Sequence, residues 1–195
     1  MVVEVIEADS LAVLAQNATI QALSLIVSDL PKSLLGSLAT MPALNSVHLA
    51  SRHPYIVSIG GDDIQALCAK PLKSLSLYDM ALDSAACAQL AAAQTASLRL
   101  QFCTAFGSED FVALSQNRSI TSLFMMTEGI TPGNNYEAVL SMVTSGLPQL
   151  ESLTIDVGSE TPVDAKAAIE AAWAASGRLL VNLDVTSRYV SANPS

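Results

Sequence analysis

Charged, aromatic and cysteine residues are all scarce in this chain. Charged residues make up 14% and aromatic residues 5% of its 195 positions, whereas 51% of them are hydrophobic. A chain with this hydrophobic content is not disordered as a whole. Its length suffices for one or at most two domains with a buried core. No apolar run reaches the roughly 18 residues that a membrane-spanning helix needs. The hydrophobic residues are therefore expected to form a core.

The cysteines predict neither a disulfide framework nor a zinc site. Cys68, Cys87 and Cys103 are odd in number, whereas a disulfide framework pairs its cysteines, and they share no CxxC spacing of the kind that marks zinc sites. Reduced, buried thiols in a cytoplasmic setting are the expectation.

Basic residues are also few, with nine against eighteen acids and a net charge of −9. This balance argues against nucleic acid and anionic membrane as partners. The first ten residues, MVVEVIEADS, carry acids and no Lys or Arg, unlike a classical secretory signal.

One phrase recurs along the chain. LAQNATIQALSL at 14–25 returns as LSQNRSITSLFM at 114–125. Its pattern is an apolar residue, a second one three positions later and a third two positions after that. The central residues of the seven copies are Leu23, Val47, Leu75, Leu98, Leu123, Leu153 and Leu183. Their steps of 23 to 30 residues are typical of a solenoid.

Each period combines a strand with a helix. The second and third apolar residues alternate with other residues, as in a strand with one buried face. Stretches rich in Ala and Leu precede them and predict helices, for example at 84–93, 109–116, 136–145 and 163–175.

The joint between helix and strand is marked in two ways. Prolines, which cannot continue a helix, precede three strands. Elsewhere the joint holds Asn17, Asn117 or Gly177, which tolerate the left-handed backbone that ends many helices. The prolines are Pro42, Pro71 and Pro148.

Stacked units of this kind bury a continuous core between their strands and helices. Consecutive strands then form a parallel sheet. The sheet lies on the inside of the curve because strands pack about 4.8 Å apart and helices about 8 to 10 Å apart. The predicted fold class is α/β, a solenoid or horseshoe with a parallel concave β-sheet, convex helices and about seven repeats, and in this it resembles a leucine-rich-repeat domain.

The stretch GSEDFVALSQNRSITSLFM at 107–125 resembles the repeat phrase of GALA-type leucine-rich-repeat effectors of plant-pathogenic bacteria. Weaker copies cover about 10–187, the expected repeat domain. Residues 1–9 are expected to be an N-terminal segment or a truncated first repeat, with Val3 and Val5 in its strand, and 188–195 a C-terminal tail. The resemblance implies a virulence effector that a type III secretion system delivers into a host cell, where its repeats select targets for the ubiquitin pathway.

The chain also departs from that family. Leucine-rich repeats usually place Asn or Cys three residues after the last strand leucine, and only Cys103 fits; the other positions hold Ser28, Arg52, Met80, Glu128, Gly158 and Arg188. The turns on the convex side must therefore be satisfied by other groups. In the GALA family an F-box segment also precedes the repeats, and we expect none ahead of residue 10 here.

Residues for catalysis are few. His48 and His53 are the only histidines, and no third metal ligand accompanies them. A Cys-His nucleophile would need Cys87 or Cys103 to meet a histidine from another repeat. The stretch 60–63, GGDD, predicts a turn and a helix cap rather than a phosphate-binding loop. We expect no enzyme activity, no metal and no cofactor.

Strand alternation places three rows of residues on the inner face of the sheet. Aromatic residues, methionine and arginine cluster in two of these rows, which is the composition of interface hot spots. Alternatively, Phe124 or Met126 packs beneath the loop at 127–137. The predicted partner-binding residues are His48, Tyr78, Arg99, Gln101, Phe124, Met126, Asp156 and Asp184.

The sequence therefore predicts a noncatalytic module that recognises a protein partner on its concave face. One alternative is the substrate-recognition arm of a larger enzyme such as a ubiquitin ligase. Another is a structural role with self-association through an end of the solenoid. Expected partners are proteins, with no nucleic acid and no membrane, and the chain itself is expected to be a monomer or to self-associate weakly.

Overall fold

The computed structural model describes residues 2–4, 16–31, 33–103, 107–126, 136–156, 163–177 and 182–186. The strands in these ranges are β1 Val2–Glu4, β2 Ala22–Val27, β3 Ser46–Ser51, β4 Val57–Ile59, β5 Leu72–Tyr78, β6 Met80–Leu82, β7 Thr95–Gln101, β8 Ser122–Met126, β9 Ser152–Asp156 and β10 Asn182–Thr186. The helices are α1 Leu34–Thr40, α2 Gly61–Cys68, α3 Ser84–Ala91, α4 Ser108–Ser115, α5 Tyr136–Ser145 and α6 Val163–Ala175.

Eight of the strands form one sheet in the order β1-β2-β3-β5-β7-β8-β9-β10. All described strand pairs in this sheet are parallel, and each strand pairs with the next strand of the sheet along the chain. Parallel neighbours need a connection that returns to the same end. From β2 onward, each of these connections contains a helix. The predicted α/β class with a parallel sheet is confirmed.

The leucine pattern explains which face of the sheet is buried. Leu75, Leu98 and Leu123 are in register on neighbouring strands, and each is at most 1% exposed. They belong to one hydrophobic cluster that extends from Leu23 to Trp173 and includes residues of all six helices. The helices therefore cover the leucine face of the sheet.

The helix predictions are close to the observed bounds. Helices α5 and α6 match them, α4 begins and ends one residue earlier, and α3 ends at Ala91 rather than at residue 93. The predicted cap at 60–63 is confirmed, since the Gly60 N–H donates to Asp63 Oδ2 at 3.0 Å. This cap satisfies a backbone N–H group at the start of α2 that has no partner within the helix.

The prediction for the asparagines at the joints is wrong. Gly177 has the left-handed backbone, with φ of +69°, but neither Asn17 nor Asn117 has a positive φ. Both asparagines act through their side chains instead: Asn17 Oδ1 accepts from the Thr19 N–H at 2.9 Å, and Asn117 Oδ1 accepts from the Ser119 N–H at 2.7 Å. A side-chain acceptor closes the turn without the strain of a left-handed residue.

The turns after the strands are satisfied without a row of asparagines. Strands β4 and β6 pair in parallel as a second, two-stranded sheet that sequence reasoning did not predict. The Cys103 thiol donates across to the Leu77 carbonyl oxygen, with Sγ and O 3.5 Å apart. Ser51 Oγ accepts from the Val57 N–H at 2.9 Å. The pairing of short strands and single side chains thus supply hydrogen bonds in turns that lack the usual asparagine.

Two predicted regions fall on the N-terminal residues and the tail. Residues 2–4 form strand β1, in which Val3 is in register with Leu25, as expected for a strand that precedes the first full one. Val5 and the tail at 188–195 lie outside the described residues. Among the helices of the described residues, none is both long and apolar enough to span a membrane.

Candidate functional site

The sheet face opposite the helices, called the open face below, carries the three predicted rows. Strand register aligns each row across the sheet as alternation predicted. The first row is Ala22, Ser46, Ser74, Ser97, Ser122, Ser152 and Asn182; the second is Ser24, His48, Ser76, Arg99, Phe124, Thr154 and Asp184; the third is Ile26, Ala50, Tyr78, Gln101, Met126, Asp156 and Thr186.

Arg99 lies in the middle of the open face, on strand β7. Its neighbours in register are Ser76 on β5 and Phe124 on β8. The guanidinium carbon lies 3.9 Å from the centroid of the Phe124 ring, a cation-π contact worth about 0.5 to 1 kcal/mol at an exposed site. Arg99 is exposed and Phe124 half-buried, so the pair presents both charge and aromatic surface to solvent.

An aromatic pair lies along the edge of the third row. The rings of Tyr78 and Phe102 meet edge to face, with centroids 5.3 Å apart and planes at 86°. Phe102 has φ of +56°, and its N–H donates to the Met126 carbonyl oxygen at 2.6 Å. Strand alternation did not predict this contact. Phe102 follows the last residue of β7, and its left-handed backbone brings its ring against Tyr78.

His48 contacts the neighbouring strand through its ring. Its Nδ1 lies 2.9 Å from Ser76 Oγ, and Ser76 lies between His48 and Arg99 in the second row. Burial lowers the pKa of His48 below its usual 6.5, and the positive charge of Arg99 lowers it further. His48 is therefore held neutral at neutral pH, which leaves Arg99 as the permanent cation of this part of the row.

The titration of His48 tests this arrangement. We expect its pKa to lie below 6.5 in the native protein and to rise in Arg99→Gln, because neutral glutamine no longer opposes protonation of the imidazole. The rise should be partial, since burial is the larger cause and remains. NMR of the histidine Cε1 protons across the pH range measures it. Lys73→Gln removes the same charge from an exposed position of β5; an equal rise there would contradict the assignment to Arg99.

The structure brings most of the predicted residues together. Tyr78, Gln101 and Met126 are consecutive in the third row and all half-buried. For Asp156 and Asp184 the strand positions are described, and these lie one and two strands beyond β8. Phe124 or Met126 was alternatively expected to pack beneath a loop at 127–137. Residues 127–135 of it lie outside the described residues, and 136 and 137 begin helix α5.

The thiols do not join the histidines. All three cysteines are buried on the helix side of the sheet, whereas His48 lies on the open face and His53 in an exposed turn. Burial raises the pKa of Cys68 and Cys87 to about 12 and that of Cys103 to about 11. The thiols are therefore protonated at neutral pH, and the thiolate is the form that acts as nucleophile. Among the described residues, no group of three His, Cys, Asp or Glu could hold a metal ion.

A further apolar feature lies beside β3. Tyr55 and Ile56, in the turn between β3 and β4, are 58% and 60% exposed. Sequence reasoning did not select them, because nothing in their local pattern separates an exposed turn residue from a buried one. They are separate from the rows of the open face and serve below as a control surface.

Comparisons with protein-family models, with curated proteins and with solved structures found no match.

Proposed function

We propose that this chain is a leucine-rich-repeat solenoid that acts as a noncatalytic protein-interaction module through its open face. The solenoid is supported by the order of the sheet, in which strands follow one another along the chain and the described helices pack in one core against the same face. Strands lie closer together than helices do, so such a stack curves and the open face becomes concave.

The observation that carries the function is the composition of the open face around Arg99. Tyr78, Phe124 and Met126 lie on adjacent strands around an exposed arginine. Aromatic and arginine side chains dominate the binding energy of many protein interfaces, and the aromatic rings bury a large area at a small cost in conformational freedom. A broad sheet face that exposes these side chains suits a protein ligand better than a small molecule, which needs a closed pocket.

The likeness of residues 107–125 to GALA-type repeats extends this proposal to an effector that selects host proteins for the ubiquitin pathway. The same surface would serve as the substrate-recognition arm of a larger ubiquitin ligase. Both versions place partner recognition on the open face, so one experiment tests what they share.

The experiment compares capture of protein partners by the native chain and by the combined variant Tyr78→Ala, Phe124→Ala and Met126→Ala. We expect capture from host-cell extract, quantified by mass spectrometry, to fall by at least about tenfold. The melting temperature should fall by only a few degrees, because the three side chains are half-buried rather than core.

The matched control is the double variant Tyr55→Ala and Ile56→Ala, which removes an exposed apolar pair elsewhere on the surface. It should retain full capture. Equal loss in both variants would point to nonspecific hydrophobic adsorption. A large loss of stability in the open-face variant would instead assign its three side chains to packing.

A further inference from the structure

Arg99 lies at the centre of a patch of nine open-face residues on strands β5, β7 and β8, called the central patch below. Strand register fixes its eight neighbours, none of which is acidic or basic. They are Ser74, Ser76, Tyr78, Ser97, Gln101, Ser122, Phe124 and Met126. In a chain with twice as many acids as bases, the nine described residues of the central patch include one cation and no carboxylate.

The flanking strands add one acid at their open-face positions. On β3 these positions are Ser46, His48 and Ala50, and on β9 they are Ser152, Thr154 and Asp156. The backbone of Asp156 is two strands and one row from Arg99, about 12 Å away at ordinary strand spacings. Asp156 therefore lies outside the eight positions that surround Arg99.

The side chain of Arg99 is also held in place. Its contact with the Phe124 ring, 3.9 Å from guanidinium carbon to centroid, restricts a side chain that would otherwise lose more rotamer entropy when a ligand orders it. Serine hydroxyls and the Gln101 amide surround it in register and supply further hydrogen-bond donors. A ligand group with two acceptor oxygens would meet a preorganised cation.

We propose that the central patch binds an Asp or Glu carboxylate in an extended segment of the partner protein, with Arg99 as the pairing cation. A neighbouring apolar side chain of the segment then lies on Tyr78, Phe124 and Met126. This inference rests on the proposed function and names the chemistry of its partner. The net charge of −9 opposes an acidic segment only at long range, where salt screens it.

One charge on the central patch favours a carboxylate over a phosphate group. Phosphate carries about −1.5 to −2 charges at neutral pH and is usually bound by several cations. The other cationic candidate in the second row is His48, which burial and Arg99 keep neutral at that pH. The patch therefore matches a single negative charge.

The test uses the full chain labelled with ¹⁵N and short peptides of equal length that alternate apolar residues with glutamate, glutamine, lysine or phosphoserine. At about 1 mM, which detects millimolar dissociation constants, the glutamate peptide should shift backbone amide signals of β7 and β8. Arg99→Gln should weaken its binding by about tenfold or more. Arg118→Gln, which removes an exposed cation at the joint after α4, should leave the binding unchanged.

Three results would overturn the inference. The first is no shift in the central patch with the glutamate peptide, and the second is equal binding of the glutamine or lysine peptide. The third is preference for phosphoserine by more than about tenfold. None of them decides the proposed function, because the capture experiment with the Tyr78, Phe124 and Met126 variant tests the open face with whichever partner it has. If that variant loses capture while Arg99→Gln retains full capture, the carboxylate proposal is wrong and the proposed function stands.

Discussion

Asn117→Ala is expected to lower the free energy of unfolding by about 3 kcal/mol. Asn117 is only 5% exposed and makes four hydrogen bonds. Its Nδ2 donates to the Ala91 and Ala93 carbonyl oxygens at 2.8 and 2.9 Å, and its Oδ1 accepts from the Ser119 and Ile120 N–H groups at 2.7 and 3.0 Å. Alanine leaves these backbone groups without a partner in a site where water has little access.

Urea unfolding of the variant measures the loss, and the melting temperature should fall by about 6 to 12 °C for a chain of this length. Asn17→Ala is the matched control from the other copy of the recurrent phrase. Asn17 is exposed and its Oδ1 closes a local turn, so we expect a loss of about 1 kcal/mol. Equal losses at the two positions would show that the bonds from Asn117 to Ala91 and Ala93 contribute little.

A similar contact links the ends of α1 and α2, where a lysine takes the place of asparagine. Lys70 Nζ donates to the Ala39 and Met41 carbonyl oxygens at 3.3 and 2.8 Å. In both places a side chain at the end of one helix satisfies carbonyl groups at the end of the preceding helix. The two helix ends are thus linked by different chemistry, which explains why sequence repetition alone did not reveal the contact.

Gly61→Ala is expected to cost about 2 to 3 kcal/mol, because the first turns of α2 and α3 meet there. A Cβ at Gly61 would lie 2.6 Å from Ala85 Cβ and 2.9 Å from the Ala85 backbone carbon. Neither atom belongs to a flexible side chain, so the helices must separate. Thermal or urea unfolding of the variant measures the cost.

Gly36→Ala is the matched control for the same substitution in a helix. A Cβ at Gly36, inside α1, would meet no atom within 4 Å. Alanine loses less backbone entropy than glycine on folding, so this variant should gain about 0.5 to 1 kcal/mol. Destabilisation at both positions would mean that alanine disturbs the helices themselves, whereas the opposite signs expected here assign the cost at Gly61 to helix packing.

The period and the alternation of the sequence carried most of the fold. The positions of Leu75, Leu98 and Leu123 gave both the strands and their register, because a side chain period of two leaves a single choice of buried face. The bounds of α5 and α6 followed from composition and from the prolines and glycines beside them. Local patterns suffice where the physical cause is local.

The candidate site was predictable as a face and as rows, and less so as a set of contacts. Strand register placed Arg99 beside Phe124, as alternation required, but alternation did not decide that the guanidinium lies over the ring. Phe102 was missed because its contact with Tyr78 depends on a left-handed residue at the end of β7. The side-chain roles of Asn17 and Asn117 were also missed, since asparagine suits a left-handed turn and an acceptor turn equally well.

By itself, the sequence determined the α/β class, the parallel strands and which residues share the open face, because these follow from periodicity and from the need to bury leucine. Only the tertiary structure decided which of those residues touch: Arg99 with Phe124, His48 with Ser76, and Asn117 with carbonyl groups 24 and 26 residues earlier. Such contacts join residues far apart in the chain, so side-chain rotamers, turn geometry and the distance between helices set them together. A one-dimensional pattern contains none of these quantities.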